Sequence, residues 1–315
     1  MMLYRELGKT GVQVSEIILG AWQFGQANWA DIKDDESVAA IHAALDAGIN
    51  MIDTAVGYGR GYSEEIVGKA VAGRRDQVLL ASKIGADPEG IRTGIDACLK
   101  RMGIDYIDLY QVHYPSPRIP IADTIGAMEE IRQAGKIRFI GVSNFSLQQM
   151  KEAVATAPIH TCQPPFNVLW RQIDNDVLPF CREHGIAVLP YSPLAQGLLT
   201  GKFRRREDIP DDIRAKNKLF AEGIFEQCLK VVELMETVAK AHGKTLAQTA
   251  IAWVLQTPGI TAPIVGARNP EQVQANIGGV GWKLTDEEYR LISEAGLAVS
   301  NQLDFSTNMW GYAPR

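Results

Sequence analysis

One device recurs along this chain. A glycine closes a helix-like stretch and a short apolar, β-branched run follows at once, as in "DAGINMID", "QAGKIRFIGVS", "EHGIAVLPYS" and "TPGITAPIVG". Glycine accepts the left-handed conformation that ends a helix without a side-chain clash, so each recurrence marks a passage from helix to strand. The apolar runs predict strands near 16–20, 49–53, 78–82, 106–111, 137–142, 159–163, 186–190 and 261–265, with helices between them. Eight buried strands alternating with helices imply a parallel sheet covered on both faces. The count of eight favours an α/β fold closed as a (β/α)8 TIM barrel over an open doubly wound sheet.

Three stretches depart from the repeat. "LYRELGKTGVQVSEI" places a Gly-Lys-Thr-Gly turn between two extended runs, the pattern of an N-terminal β-hairpin, expected to plug the barrel bottom. Residues 191–222, after the seventh strand, show no clear helix, and a loop of that length usually has a task such as a clamp. "LTDEEYRLI" opens with a Thr285/Glu288 capping box, which predicts an extra C-terminal helix followed by the polar, aromatic tail "FSTNMWGYAPR".

No low-complexity linker interrupts the 315 residues, so a single domain, 1–315, is expected. A formal charge of -5 supplies no attraction for nucleic acid or acidic membranes, and the "RRR" at 204–206 reads as a solvated loop. No apolar run reaches the ~18 residues of a membrane span. The opening "MMLYRELGKTG" lacks the apolar core of an export signal, so the expected location is cytoplasmic. Cys98, Cys162, Cys181 and Cys228 form no CxxC pair; reduced packing thiols are the plainest reading, with disulfide or metal pairing left open.

In a barrel of this kind chemistry gathers at the C-terminal strand ends. Taken in order, these ends are Gly20, Asp53, Lys83, His113, Asn144, Gln163, Tyr191 and Gly266. Asp53, Lys83 and His113 stand 30 residues apart, one β/α unit per step, and Tyr58 follows Asp53 in the next loop between Gly57 and Gly59. Each has a plainer alternative: Asp53 as a helix cap, Lys83 as a structural partner of Asp53, His113 as a satisfied core histidine, Tyr58 as a turn aromatic. Four such groups in consecutive units make coincidence the weaker account. A nearby ammonium favours the phenolate form of a tyrosine, a carboxylate keeps that ammonium charged, and a neutral imidazole can orient a carbonyl oxygen. Together they make a proton donor for a carbonyl that is receiving electrons. The sequence offers no Ser or Cys nucleophile beside a base and no HxH, HExxH or carboxylate cluster for a metal, so the electrons point to an external nicotinamide.

"GYGRGYSE" is not a dinucleotide fingerprint, because Tyr62 occupies the place of the third glycine. Phosphates are expected instead on the backbone of "SPLAQGLLTGK", where Gly197 and Gly201 permit close approach and Lys202 adds charge. A second phosphate site is expected after Gly266, at the helix start in "IVGARNPEQVQANI", with Arg268 as cation. A flexible loop and a surface arginine are the respective alternatives.

These residues resemble the aldo-keto reductase superfamily over nearly the whole chain, most closely its bacterial general stress protein type. The resemblance rests on "DTAVGYGRGYSEE", "LLASKIG", "DLYQVHYP", "IRFIGVSNF", "QPPFNVLWR", "YSPLAQGLLTGK" and "IVGARNPEQVQANI". It implies a catalytic tetrad of Asp53, Tyr58, Lys83 and His113, with Tyr58 as proton donor to an aldehyde or ketone and NADP(H) as cofactor, NAD(H) being the alternative. It implies that Ser143, Asn144 and Gln163 hold the nicotinamide carboxamide and that Tyr191 stacks on its ring. The 192–202 loop, with Ser192, Leu194, Gln196, Gly197 and Lys202, is expected to clasp the pyrophosphate. Arg268 is expected at the 2′-phosphate and Gln272 and Asn276 near the adenine, and Gly20, Trp22 and Gly266 complete the cofactor set. Trp22, Tyr58, His113 and Tyr114, with second-loop residues and Trp310, are expected to line the substrate pocket. Two positions depart from the family pattern: Phe166 stands where a tyrosine is frequent, and Arg268 is the one evident cation of the 2′-phosphate pocket. A nicotinamide-sensing regulatory subunit is the competing function. The sequence carries no expectation about oligomeric state.

Overall fold

The computed structural model describes residues 2–27, 32–305 and 308–311. Within it the predicted hairpin forms from β1 (Tyr4–Glu6) and β2 (Gln13–Ser15), paired antiparallel. The eight predicted strands are β3 (Ile18–Gly20), β4 (Met51–Asp53), β5 (Leu79–Ile84), β6 (Ile107–Val112), β7 (Ile137–Ser143), β8 (Thr161–Gln163), β9 (Ala187–Val188) and β10 (Ile264–Gly266). They pair in parallel in the order β10-β3-β4-β5-β6-β7-β8-β9. Parallel bridges Val188↔Ile260 and Tyr191↔Ile264, with Ile264 N–H donating to the Pro190 carbonyl at 2.8 Å, join the last strands and close the barrel.

Glycines at the four expected helix ends, Gly48, Gly135, Gly185 and Gly259, all have positive φ, between 68° and 99°. This left-handed turn lets the chain double back from each helix into the next strand. The surrounding helices are α1 (Asp34–Asp46), α2 (Tyr62–Val71), α3 (Pro88–Met102), α4 (Ile121–Gln133), α5 (Leu147–Thr156), α6 (Val177–His184), α7 (Ile224–Ala241), α8 (Leu246–Gln256) and α9 (Pro270–Ile277). The extra helix α10 (Asp286–Ser300) begins at the expected box: Thr285 Oγ1 accepts from Glu288 N at 3.2 Å and Glu288 Oε2 accepts from Thr285 N at 2.8 Å. Residues 191–222 contain only short 3-10 turns, as anticipated. Of the aromatic tail, 306–307 and 312–315 lie outside the described residues.

The core has two parts. A large apolar sheath fills the space between strands and helices, and a smaller cluster lies inside the barrel: Ile18, Met51, Ala81, Leu109, Ala187, Leu189, Ala262 and Ile264. Leu7 and Val14 of the hairpin join that inner cluster, and Arg5 donates to the Leu255 and Ile260 carbonyls, so the hairpin seals the N-terminal end of the barrel.

Strand side chains alternate faces, so the residue two places on from each inner apolar position also points inward. From Met51, Ala81 and Leu109 this rule leads to Asp53, Lys83 and Gln111; from Thr161 it leads to Gln163. All four of these polar residues are buried. An apolar layer thus floors a polar one, and the polar layer lies at the mouth.

Candidate active site

Lys83 is fully buried, and its amine makes three short contacts: Asp53 Oδ1 at 2.5 Å, the Thr54 carbonyl at 2.8 Å and the Tyr58 hydroxyl at 3.2 Å. Burial alone would push the lysine pKa down. Asp53 and then Tyr58 push it up, and the net is an ammonium held above its ordinary range. Asp53 is no helix cap, since the turn after β4 leads to a helix whose N-cap is Gly61.

Tyr58 is placed by two crossing loops. Its N–H donates to the Ala55 carbonyl at 3.0 Å, and its own carbonyl accepts from Ser63 N at 3.2 Å. Gly59, with φ +62°, crosses so close to Gly25 that a Cβ there would lie 2.1 Å from the Gly25 carbonyl oxygen. Any side chain at 59 would drive the Tyr58 loop away from the Trp22 loop, which explains the glycine beside the phenol. Ser63 ties the loops further, accepting from Thr54 Oγ1 at 2.8 Å and donating to the Ala21 carbonyl at 2.7 Å.

His113 meets the Tyr58 ring edge-on with centroids 5.8 Å apart and stacks on Tyr114 at 5.0 Å. Burial, with the Lys83 charge adding to it, pushes its pKa down to about 3. The imidazole is therefore neutral at any ordinary pH.

These groups open on a cavity of about 640 Å3. Apart from Gly201, the residues named as expected to bind cofactor or substrate line it, from Gly20 and Trp22 to Gln272 and Asn276, and so do Asp53 and Trp310. Lys83 lies beneath the wall and reaches the mouth only through its amine tip. Trp22 faces Tyr58 at 6.2 Å and meets Trp310 edge-on at 5.6 Å, so one end of the cavity is walled by aromatic rings. Phe166 does not face the cavity; it is buried against Trp253 at 5.6 Å, and the missing hydroxyl is replaced by ring packing.

On the opposite wall, hydrogen bonds link the strand-end residues. Ser143 Oγ donates to the Gln163 carbonyl at 2.7 Å, Asn144 Nδ2 donates to the His113 carbonyl at 2.9 Å and to Ser143 Oγ at 3.0 Å, and Tyr191 donates to Asn144 Oδ1 at 2.8 Å. Among the described residues, six non-glycine residues have positive φ, and four of them are Asn144, Ser192, Ala195 and Gln196. Such backbone clusters where surrounding structure holds a binding site in shape.

The distal end is cationic. Lys202, Arg214 and Arg268 share it, and burial together with repulsion from the two arginines lowers the Lys202 pKa. Arg214 was not anticipated: it comes from the long loop after β9 and is held by Asp212 at 2.5 Å. The cationic end thus holds Arg214 in addition to the Lys202 and Arg268 that the sequence suggested. Gln196 Nε2, in the same loop, is a buried donor with no partner among the described residues. Gly197 has φ +101°, a conformation that suits glycine, and a Cβ there would lie 2.5 Å from Lys202 Cε and displace the lysine tip. An unpaired donor, converging cations and a bare backbone fit a phosphate-bearing dinucleotide. Among the described residues no cluster of His, Cys, Asp and Glu could hold a metal, all four cysteines are free, and no helix is long and apolar enough to cross a membrane.

Two buried polar side chains near the site escaped the sequence reading. Gln111 Nε2 donates to Asp53 Oδ2 at 3.1 Å, and Gln23 Nε2 donates to the Gly20 and Ala267 carbonyls at 2.9 and 2.7 Å. The two-residue strand period places Gln111 between Leu109 and His113, which was the available signal.

The chain is similar to known proteins over nearly its whole length. The family described as "Aldo/keto reductase family" matches residues 16–296. "Aldo-keto reductase YhdN" of Bacillus subtilis is 41% identical over 307 residues, covering 93% of each chain. "NADH-specific methylglyoxal reductase" of Escherichia coli is 34% identical, covering 93% of this chain and 98% of its own. Among solved structures, the glycerol dehydrogenase AKR11B4 from Gluconobacter oxydans superposes with a TM-score of 0.87 at 37% identity, covering 96% of this chain and 98% of its own.

Proposed function

The chain belongs to the aldo/keto reductase family, and on that footing we propose that it reduces the carbonyl of an aldehyde or ketone to the alcohol with NADPH, Tyr58 giving the proton. It is an oxidoreductase dependent on a nicotinamide cofactor. The observation that carries the finer reading is the Lys83 ammonium, 2.5 Å from Asp53 and 3.2 Å from the Tyr58 hydroxyl, beneath an aromatic-walled cavity.

A bound reduced nicotinamide supplies the hydride. The protein supplies the rest. Tyr58 O–H donates to the carbonyl oxygen as negative charge develops there; the O–H bond breaks and the alcohol O–H forms. Lys83 carries the compensating positive charge for the phenolate left behind, and Asp53 keeps Lys83 charged and aimed. Neutral His113 directs the carbonyl oxygen without adding a charge that would compete with Lys83. Water returns a proton to Tyr58 once the product leaves.

Ser143, Asn144 and Gln163 are the residues for the carboxamide, Tyr191 for the ring face and the 192–202 loop for the pyrophosphate. Lys202, Arg214 and Arg268 favour a 2′-phosphate, hence NADPH over NADH, although one relative is named as NADH-specific. Trp22, Tyr114 and Trp310 suit a substrate of modest size with an apolar body, handled by one domain spanning 1–315. Following the absorbance of NADPH and NADH with a panel of aldehydes and ketones tests the reading. Consumption with NADPH and a small aldehyde supports it; a purified protein inert to the whole panel with both cofactors defeats it.

A further inference from the structure

Within the nicotinamide reading, on which this inference rests, we infer that Gln111 is a positioning residue that fixes which way Gln163 presents its amide to the cofactor.

Asp53 Oδ2 accepts from Gln163 Nε2 at 2.8 Å and from Gln111 Nε2 at 3.1 Å. A carboxylate beside an ammonium only accepts, so both glutamines must turn their NH2 groups toward it. This settles the flip of each amide by chemistry. Gln111 Oε1 then faces Gln163, and Gln163 Nε2 lies 3.3 Å from it. Both N–H groups of Gln163 are therefore consumed, one by Asp53 and one by Gln111. Only Gln163 Oε1 remains for a ligand.

The neighbours are in the same condition. Ser143 spends its hydrogen on the Gln163 carbonyl, which can only accept. Asn144 spends both N–H groups on the His113 carbonyl and on Ser143 Oγ. The recess thus holds acceptor lone pairs and no spare side-chain donor from these three residues. A primary carboxamide entering it must do so NH2 first. Gln111 is what closes the last donor: fully buried, it does not line the cavity and acts only through Gln163 and Asp53. Its room comes from Gly141, where a Cβ would lie 2.8 Å from Gln111 Cγ.

Replacing Gln111 with a side chain that cannot accept releases the second N–H of Gln163, and the recess becomes able to donate. The test compares binding, not turnover. Tryptophan fluorescence titrations of NADP+ and its 3-acetylpyridine analogue, which carries a methyl in place of the carboxamide NH2, give two dissociation constants for each protein. The wild type is expected to prefer the carboxamide by about tenfold, because the analogue leaves buried acceptors unpaired. In Gln111→Met, which keeps the unbranched length, the preference is expected to fall below roughly threefold. Gln111→Glu, held protonated by the neighbouring Asp53 carboxylate, donates to Asp53, keeps an acceptor toward Gln163 and is expected to retain the preference. Should Gln111→Met fail to fold, Gln111→Asn, too short to reach both partners, carries the same expectation. A merely structural role would weaken both dinucleotides alike and leave their ratio unmoved. An unchanged ratio in Gln111→Met or Gln111→Asn, or a wild type without preference, overturns the inference while leaving the reductase reading standing. A wild type that binds neither dinucleotide overturns both.

Discussion

The Lys83 ammonium reaches the Tyr58 hydroxyl at 3.2 Å from a position closed to solvent, its stem inside the barrel and only its tip at the mouth. A cation so placed has no water to screen it, so it acts on the phenolic oxygen more strongly than a surface lysine would. The same burial makes the lysine costly without its carboxylate.

Lys83→Met removes that cation and leaves Asp53 with no counter-ion. The expected result is a loss of about 3–5 kcal/mol in unfolding free energy, read by urea titration, together with loss of turnover. Lys83→Met with Asp53→Leu, which removes both charges, should recover part of the stability and none of the activity. A double variant less stable than Lys83→Met alone would contradict the pairing.

His113 is held neutral, with its pKa pushed down to about 3. The unfolded chain binds a proton at this residue below roughly pH 6.5 while the folded chain does not until about 3. Stability from this group is therefore present above pH 6.5 and lost as the pH falls toward 3, on the order of 1 kcal/mol per pH unit. Chemical denaturation of wild type and His113→Gln between pH 4 and 7 should show the variant less sensitive to acid. Parallel curves would count against a neutral imidazole.

Arg268→Ala and Arg214→Ala each remove one charge from the cationic end. Charge-assisted hydrogen bonds to phosphate contribute about 1.5–3 kcal/mol, so NADPH affinity should fall roughly 10- to 100-fold. NADH, lacking the 2′-phosphate, should lose less than about threefold. Equal losses for both cofactors, measured by fluorescence titration, would place these arginines elsewhere.

Gly141→Ala tests the packing of the polar layer. The added Cβ would lie 2.3 Å from Thr161 Oγ1 and 2.8 Å from Gln111 Cγ. Overpacking of this kind costs about 1–3 kcal/mol, visible as a lowered midpoint in urea. An unaltered midpoint would mean the barrel wall yields freely there.

Much of this was legible in the sequence because the fold repeats itself. Glycine stops at 48, 135, 185 and 259 announce the strands that follow, and Asp53, Lys83 and His113 stand out because each closes an apolar run. Gln111 stood out less: it sits inside "IDLYQVHYP", where both strand faces are buried, so only its place two residues before His113 shows which way it points. Arg214 was hidden because residues 191–222 have no period at all. Its place beside Arg268 depends on how the 3-10 turns fold and on its pairing with Asp212. Phe166 was read only as a departure from a frequent tyrosine, and packing shows that it belongs to the core with Trp253.

Tyr58→Phe removes one oxygen and leaves the aromatic wall in place. With cofactor affinity and single-turnover reduction of an aldehyde measured on the same preparation, the variant should bind NADPH as the wild type does. Its reduction should be slowed about 10²- to 10⁴-fold, the share general acid catalysis contributes. A variant that reduces the aldehyde within a few-fold of the wild-type rate would contradict the assignment of the proton to Tyr58.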